Sequence, residues 1–211
     1  MSGVKFDNVH SYFDLNLVLA PFEMPPATAK TNYIDIPGGD GSLDLTEALG
    51  EVKYNDRKGK MTFTVLPTDK FETKKTQISN LLNGKKCRII LDKDPEYYWD
   101  ARCTVDEYKS DKNLHQIVVG FVVAPYKLRV NETKVIVPPG TNIIRTLTNS
   151  RKSVIPTITC YAETKISFSG NAYTFNSGQH RNAGIMLLEG SNSVVVTSTD
   201  TVIFTYQEGA L

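Results

Sequence analysis

Apolar and polar residues alternate through much of this chain. Met61, Phe63 and Val65 interleave with Thr62 and Thr64, and Trp99, Ala101, Cys103 and Val105 interleave with Asp100, Arg102, Thr104 and Asp106. A period of two is that of a strand with one buried face. Ile117 to Val123 is apolar almost throughout, which predicts a strand covered on both faces and ended by Pro125. Tyr33-Ile34-Asp35-Ile36 also alternates and runs into Pro37-Gly38-Gly39-Asp40-Gly41-Ser42-Leu43-Asp44. A proline followed by three glycines in four positions predicts a tight turn, because glycine accepts positive φ without steric cost.

A helical period interrupts the strands once. Phe71, Ile78, Leu81 and Leu82 share a face over about residues 70–83. Asp69 is placed to cap that helix, with Glu72 as the reciprocal capping-box partner. Gly84 supplies the stop, and Lys85 and Lys86 suit a helix C-terminus. Upstream, Ala20-Pro21-Phe22-Glu23-Met24-Pro25-Pro26 is expected to break the first strand region. Pro21, Phe22, Pro25 and Pro26 then begin an extended arm, one side of a long hairpin reaching to about Ile36.

Near Ala124-Pro125-Tyr126-Lys127 the pattern changes. Most charges and the helix precede it; short apolar runs among Thr, Ser, Asn and Gly follow it. Strands are predicted at Val135–Val137, Ile143–Ile144, Ile158–Tyr161, Ile166–Phe168, Ala172–Phe175, Gly184–Leu188, Val194–Val196 and Val202–Phe204. Pro138-Pro139-Gly140, Gly170-Asn171, Ser177-Gly178 and Glu189-Gly190-Ser191-Asn192 mark turns between them. Short, regularly spaced strands with polar turns predict a β-sandwich. The expected domains are residues 1–130 and 131–211, both mainly β, the first with the helix.

Composition narrows the functions. The 211 residues carry a formal net charge of +1, which gives no electrostatic footprint for nucleic acid or membrane. Acid appears too early for a signal peptide, and the longest apolar run is too short for a bilayer span, so a soluble cytoplasmic product is expected. Cys87, Cys103 and Cys160 are odd in number and lack close pairs, which argues against a disulfide framework or a zinc site.

The candidate chemistry thins on inspection. A phosphate loop needs Lys-Ser/Thr and a helix after the glycines, and neither follows Gly41. Asp40, Ser42, Asp44 and Glu51 match four positions of a calcium loop, but Leu45 stands where the sharp turn wants glycine. His10, His115 and His180 have no local Cys, Asp or second His at ligand spacing. No GxSxG nucleophile motif is present. Asp92, Asp94 and Glu96 offer paired carboxylates, which a charged, proline-containing hairpin turn also explains. Lys74-Lys75 and Lys85-Lys86 read as solvated helix ends. No catalytic residue, metal site or cofactor is predicted.

Several segments, in order along the whole chain, resemble the distal tail protein (Dit) family of long-tailed phages. These are Gly3-Val4-Lys5-Phe6-Asp7 with His10-Ser11-Tyr12-Phe13-Asp14-Leu15, and Ile36 to Thr46 with its glycine turn. Phe121-Val122-Val123-Ala124-Pro125-Tyr126, Leu188 to Asn192 and Phe204 to Leu211 complete the series. The chain departs from the pattern at Gly39, where a basic residue is commoner. The resemblance implies a tail-tube-like N-terminal β-sandwich with one helix and an extended hairpin, and a galectin-like C-terminal β-sandwich. It implies a homohexameric ring that joins the tail-tube protein to a tail-associated protein and holds receptor-binding proteins at its periphery. DNA would pass through the lumen in transit. On this reading Pro37, Gly38, Gly39, Asp40, Gly41 and Asp44 shape a subunit contact. The alternative is a tail module that grips host-wall saccharide, with Tyr161 and Tyr173 as its aromatic candidates, since Trp99 lies in the other domain.

Overall fold

The structure, a computed structural model, describes residues 3–48, 50–67, 70–111 and 114–211. It divides into two compact units, Met1–Pro125 and Tyr126–Leu211.

The first unit contains β1 (Val4–Phe6), β2 (Val9–His10), β3 (Leu17–Glu23), β4 (Tyr33–Asp35), β5 (Ser42–Asp44) and β6 (Arg57–Val65). Helix α1 (Phe71–Leu82), β7 (Lys86–Leu91), β8 (Asp94–Ser110) and β9 (His115–Val123) follow. Its main sheet has the order β2-β1-β7-β8-β9-β6-β3, every pairing antiparallel. The sheet curls on itself. Four strand spacings separate β1 from β6, roughly 19 Å if the sheet were flat, yet the rings of Phe6 and Phe63 lie 6.0 Å apart, edge to face. Segment 11–17 ties the two ends together. Ser11 N–H donates to the Val4 carbonyl on β1, and Leu17 N–H on β3 donates to the Ser11 carbonyl, both at 2.8 Å.

The curled interior takes the inward residues of every long strand. Met61, Phe63 and Val65 point in, as do Trp99, Ala101, Cys103, Ile117, Val119, Phe121 and Val123. Val118 and Gly120 are buried as well, so β9 is covered on both faces until Val122, which is exposed. Ile78 and Leu82 bring α1 into the same core. The helix is capped at Lys70, with no side-chain cap bond, and Asp69 lies outside the described residues. At the other end Gly84 has φ +73°, and Lys85 Nζ donates to the Asn80 carbonyl at 2.6 Å.

The break expected at Pro21 does not occur. Strand β3 runs through it to Glu23, with a register shift against β6 between Leu19 and Phe22. An edge strand with an irregularity accommodates a residue that lacks an N–H. The shift turns Phe22 inward, where it stacks on Phe121 at 5.7 Å and faces Trp99 at 6.4 Å. Phe22 therefore belongs to the core and not to an arm.

The second unit contains β10 (Lys127–Arg129), β11 (Thr133–Val137), β12 (Gly140–Asn149), β13 (Thr157–Cys160) and β14 (Thr164–Phe168). β15 (Asn171–Phe175), β16 (Gly178–His180), β17 (Gly190–Ser198), β18 (Val202–Tyr206) and β19 (Gly209–Ala210) follow. Two antiparallel sheets, β11-β18-β13-β16 and β12-β17-β14-β15, enclose a second core. Val137, Leu147, Ile158, Ile166, Val194, Val202 and Phe204 are among its fully buried members from both sheets. The β10–β19 pair joins the start of the unit to its end, ahead of Asn131. The strand expected at 184–188 is absent. Ile185 and Leu187 are buried, but the segment makes only one β-bridge, Leu187 to Val154. Its alternation reflects core packing without a ladder partner.

Candidate functional site

The glycine turn and the extended segment prove to be one element. After Glu23 the chain leaves the sheet, and it returns at Arg57. Thr28 and Ala29 face Tyr54 and Asn55 on the way out and back: Asn55 N–H donates to the Thr28 carbonyl at 2.9 Å, and Lys30 N–H to the Lys53 carbonyl at 2.7 Å. Farther out β4 pairs with β5, Tyr33 opposite Asp44, Ile34 opposite Leu43 and Asp35 opposite Ser42. The result is a long two-stranded arm with the glycine turn at its tip. Pro25 lies at the base, where its carbonyl accepts from Arg57 Nε at 2.8 Å. Pro26 is exposed beside it.

The tip is built for shape. Gly39 N–H donates to the Ile36 carbonyl at 3.0 Å, closing a β-turn with Pro37 and Gly38 in the middle. Proline pre-sets the first central position of a type II turn, and the second needs positive φ; Gly38 has φ +78°. Gly41 has φ +75°, and a Cβ on either residue would meet nothing within 4 Å, so backbone conformation alone demands glycine there. Gly39 has no such requirement. Asp44 accepts from Thr46 N–H at 2.9 Å, and the Thr46 hydrogen bonds hold its carboxyl below the usual carboxylate range. Asp35 accepts from Ser42 Oγ at 2.6 Å. Of the groups that suggested a calcium loop, Ser42 and Asp44 thus bond within the arm, and Glu51 pairs with Lys53 Nζ at 3.6 Å. Asp40 is exposed at the tip. Among the described residues no group of three His, Cys, Asp or Glu side chains is placed to hold a metal ion.

The arm also presents apolar surface. Ile34, Ile36 and Leu43 share one face by the period of two and the β4–β5 register, and each is at least half exposed. Tyr33, on the opposite face, is 57% exposed. These three half-exposed side chains lie side by side rather than scattered singly, as exposed apolar residues ordinarily are.

The other sequence candidates resolve locally. Asp92 lies at the β7–β8 turn and accepts from Gly3 N–H at 2.6 Å and from His10 Nε2 at 3.1 Å. Burial acts to raise its pKa, but these partners outweigh it and hold the carboxyl below its ordinary value. His10 Nδ1 accepts from the Tyr12 and Phe13 N–H groups at 3.1 and 3.2 Å. Both ring nitrogens are thereby engaged in holding the β2–β3 connection, and neither faces a nucleophile. His115 stacks on Phe71 at 4.7 Å and pairs through Nδ1 with Ser110. His180 Nε2 donates to the Asn176 carbonyl at 2.8 Å. Trp99 is buried, Tyr173 donates to the Gly184 carbonyl, and Tyr161 stands exposed.

Two constellations have no signal in the local sequence. Glu208 is buried in the second unit and accepts from Thr133 Oγ1 at 2.6 Å, Ser150 Oγ at 2.7 Å and Arg129 Nη1 at 3.2 Å. Cys87 and Cys103 bring their sulfurs to 3.4 Å. Both depend on strand register, which neighbouring residues do not display.

Fold and arm together define a mainly antiparallel β chain of two units, one carrying a two-stranded ribbon with an apolar face. No protein-family model matches the chain, and no curated protein matches it in sequence. Among solved structures it is similar to SPP1 Dit (gp 19.1), described as a paradigm of the hub adsorption apparatus in phages that infect Gram-positive bacteria. The TM-score is 0.70 at 13% identity, covering 98% of this chain and 99% of that one. The two share a fold from end to end.

Proposed function

We propose that this chain is a non-enzymatic structural hub of a phage or phage-derived tail tip, in which copies of it close a homohexameric ring. The end-to-end fold shared with SPP1 Dit supports this reading. The observation that carries it is the arm. A two-stranded ribbon is marginal in water on its own, and the Ile34, Ile36 and Leu43 face is uncovered in the single chain. Burying that face against a neighbour stabilises both the ribbon and the assembly. Ring subunits meet head to tail, each presenting two different complementary patches. The arm supplies one of them, and the Pro37 to Asp44 tip fixes its shape.

In this role the ring joins the tail-tube protein to the tail-associated protein and holds receptor-binding proteins at its rim. DNA crosses the lumen only in transit, in keeping with a chain of formal charge +1 that offers no strong attraction for phosphates. The protein works in the virion tail tip after synthesis in the bacterial cytoplasm.

The test is an arm variant, Ile34→Ser with Leu43→Ser, followed by light scattering over a concentration series. Losing about half of each apolar side chain's burial amounts to on the order of 1 kcal/mol per residue. The concentration needed for assembly should therefore rise roughly tenfold or more, with the monomer's melting midpoint unchanged. Assembly that is indifferent to both substitutions removes the arm from the interface.

A further inference from the structure

The sulfurs of Cys87 and Cys103 are 3.4 Å apart, in direct contact. Cys87 lies on β7 opposite Ala101 of β8, and Cys103 N–H donates to the Lys85 carbonyl at 2.9 Å. The two thiols are therefore diagonal neighbours across one antiparallel pair, both directed into the first unit's core. A disulfide requires an S–S distance of about 2.05 Å, so the two sulfurs have to approach by roughly 1.4 Å. The backbone ladder on either side is already formed.

We infer that Cys87 and Cys103 are a modification site: a dithiol that a small hydroperoxide converts to an intramolecular disulfide, stapling β7 to β8. The two thiols are unequal. Cys87 keeps 8% of its surface exposed while Cys103 keeps none, so a small oxidant meets Cys87 first. Either thiol can donate in the S–H···S bond between them; with Cys103 as donor the bond favours the Cys87 thiolate and, together with burial, works to keep the proton on Cys103. This is the division between an attacking and a resolving cysteine.

The chemistry balances with the hydroperoxide as the sole oxidant. Cys87 loses its proton and its thiolate attacks one peroxide oxygen. The O–O bond breaks, the departing hydroxide takes up a proton as water, and Cys87 becomes the sulfenic acid. Cys103 Sγ then attacks Cys87 Sγ. The S–S bond forms, the S–O bond breaks, and the oxygen leaves as a second water with the Cys103 proton. Two thiols and one hydrogen peroxide give one disulfide and two waters.

The occasion for this step rests on the tail-hub reading. A reducing cytoplasm keeps the pair as thiols during synthesis and assembly, and a released particle enters an oxidising medium. The staple then closes the loop from 87 to 103 and removes freedom from the unfolded chain. The chemistry itself stands on the sulfur geometry, so its failure leaves the hub reading intact.

The experiment treats the purified full-length chain with hydrogen peroxide while circular dichroism confirms that it stays folded. Two of the three thiols should disappear, the mass should fall by two hydrogens, and a non-reducing peptide map should join Cys87 to Cys103 with Cys160 free. The melting midpoint should rise and return to its starting value after dithiothreitol. Cys103→Ser should stop at a sulfenic acid on Cys87, trapped by dimedone; if that variant fails to fold, the wild-type peptide map decides alone. Persistence of all three thiols, a cross-link through Cys160 or between chains, or oxidation to sulfinic acid without a disulfide would overturn the assignment.

Discussion

Glu208 carries one of the few buried charges among the described residues. Burial alone would raise its pKa, but hydrogen bonds from Ser150 and Thr133 and the Arg129 charge lower it below the ordinary value of 4.5. The folded chain thus takes up this proton at lower pH than the unfolded chain. The resulting stabilisation is complete above about pH 4.5 and is lost as pH falls through the lower folded value. Glu208→Gln should cost about 1.5–3 kcal/mol near neutral pH, the range for hydrogen bonds to a charged group. It should also flatten the acid limb of a stability-versus-pH curve measured by urea unfolding; an unchanged acid limb would remove Glu208 from that role. At the arm tip the glycines divide. Gly38→Val and Gly41→Val force a β-branched residue to positive φ, at about 1–3 kcal/mol of local strain. Gly39→Ala needs only a slight adjustment of Ile36, whose Cγ2 lies 3.4 Å from the new Cβ. Limited proteolysis should therefore nick the arm faster in the first two variants and at the wild-type rate in the third, with global melting unchanged in all.

At the scale of elements, β3 and the arm separate what local sequence can specify from what it cannot. The period of two marks β6 and β8, because a strand with one buried face writes its geometry into alternate residues, while apolar runs bounded by turn residues mark β9 and most strands of the second unit. Helix α1 is equally legible from its spacing and from Gly84. Pro21 misleads because its effect depends on position in the sheet: it disrupts an interior ladder and is tolerated on an edge. Sequence alone does not say that β3 is an edge. The arm is legible as an extended piece and its tip as a turn, but their union requires pairing between residues 28 and 55, a long-range fact. The Cys87–Cys103 and Glu208 groups are hidden for the same reason. Gly59 on β6 illustrates a contact that only register reveals. A Cβ there would collide with the Phe121 ring and lie 2.6 Å from the Glu23 carbonyl. Gly59→Ala should destabilise the first unit by about 1–3 kcal/mol through overpacking, read as an earlier denaturation midpoint. A neutral result would mean that the β3–β6–β9 contact yields at little cost.

At the scale of the whole molecule, each unit has its own core. In the second, β10 and β19 pair the first residues with the last. Residues 126–211 expressed alone should unfold cooperatively, with the Tyr206 hydroxyl still bonded to the Thr148 carbonyl, a 2.6 Å contact internal to that unit. A non-cooperative melt would show that the unit needs the rest of the chain. The first unit bears the arm, and in the proposed hub the arm is what turns one chain into many. The most direct measurement is light scattering of the full chain at high concentration, together with negative-stain images of tails assembled with their partner proteins. A hub of this kind should show six copies in a closed ring, either from the chain alone or in the assembled tail tip. A strict monomer in solution, with no ring of this protein in assembled tails, would contradict that role.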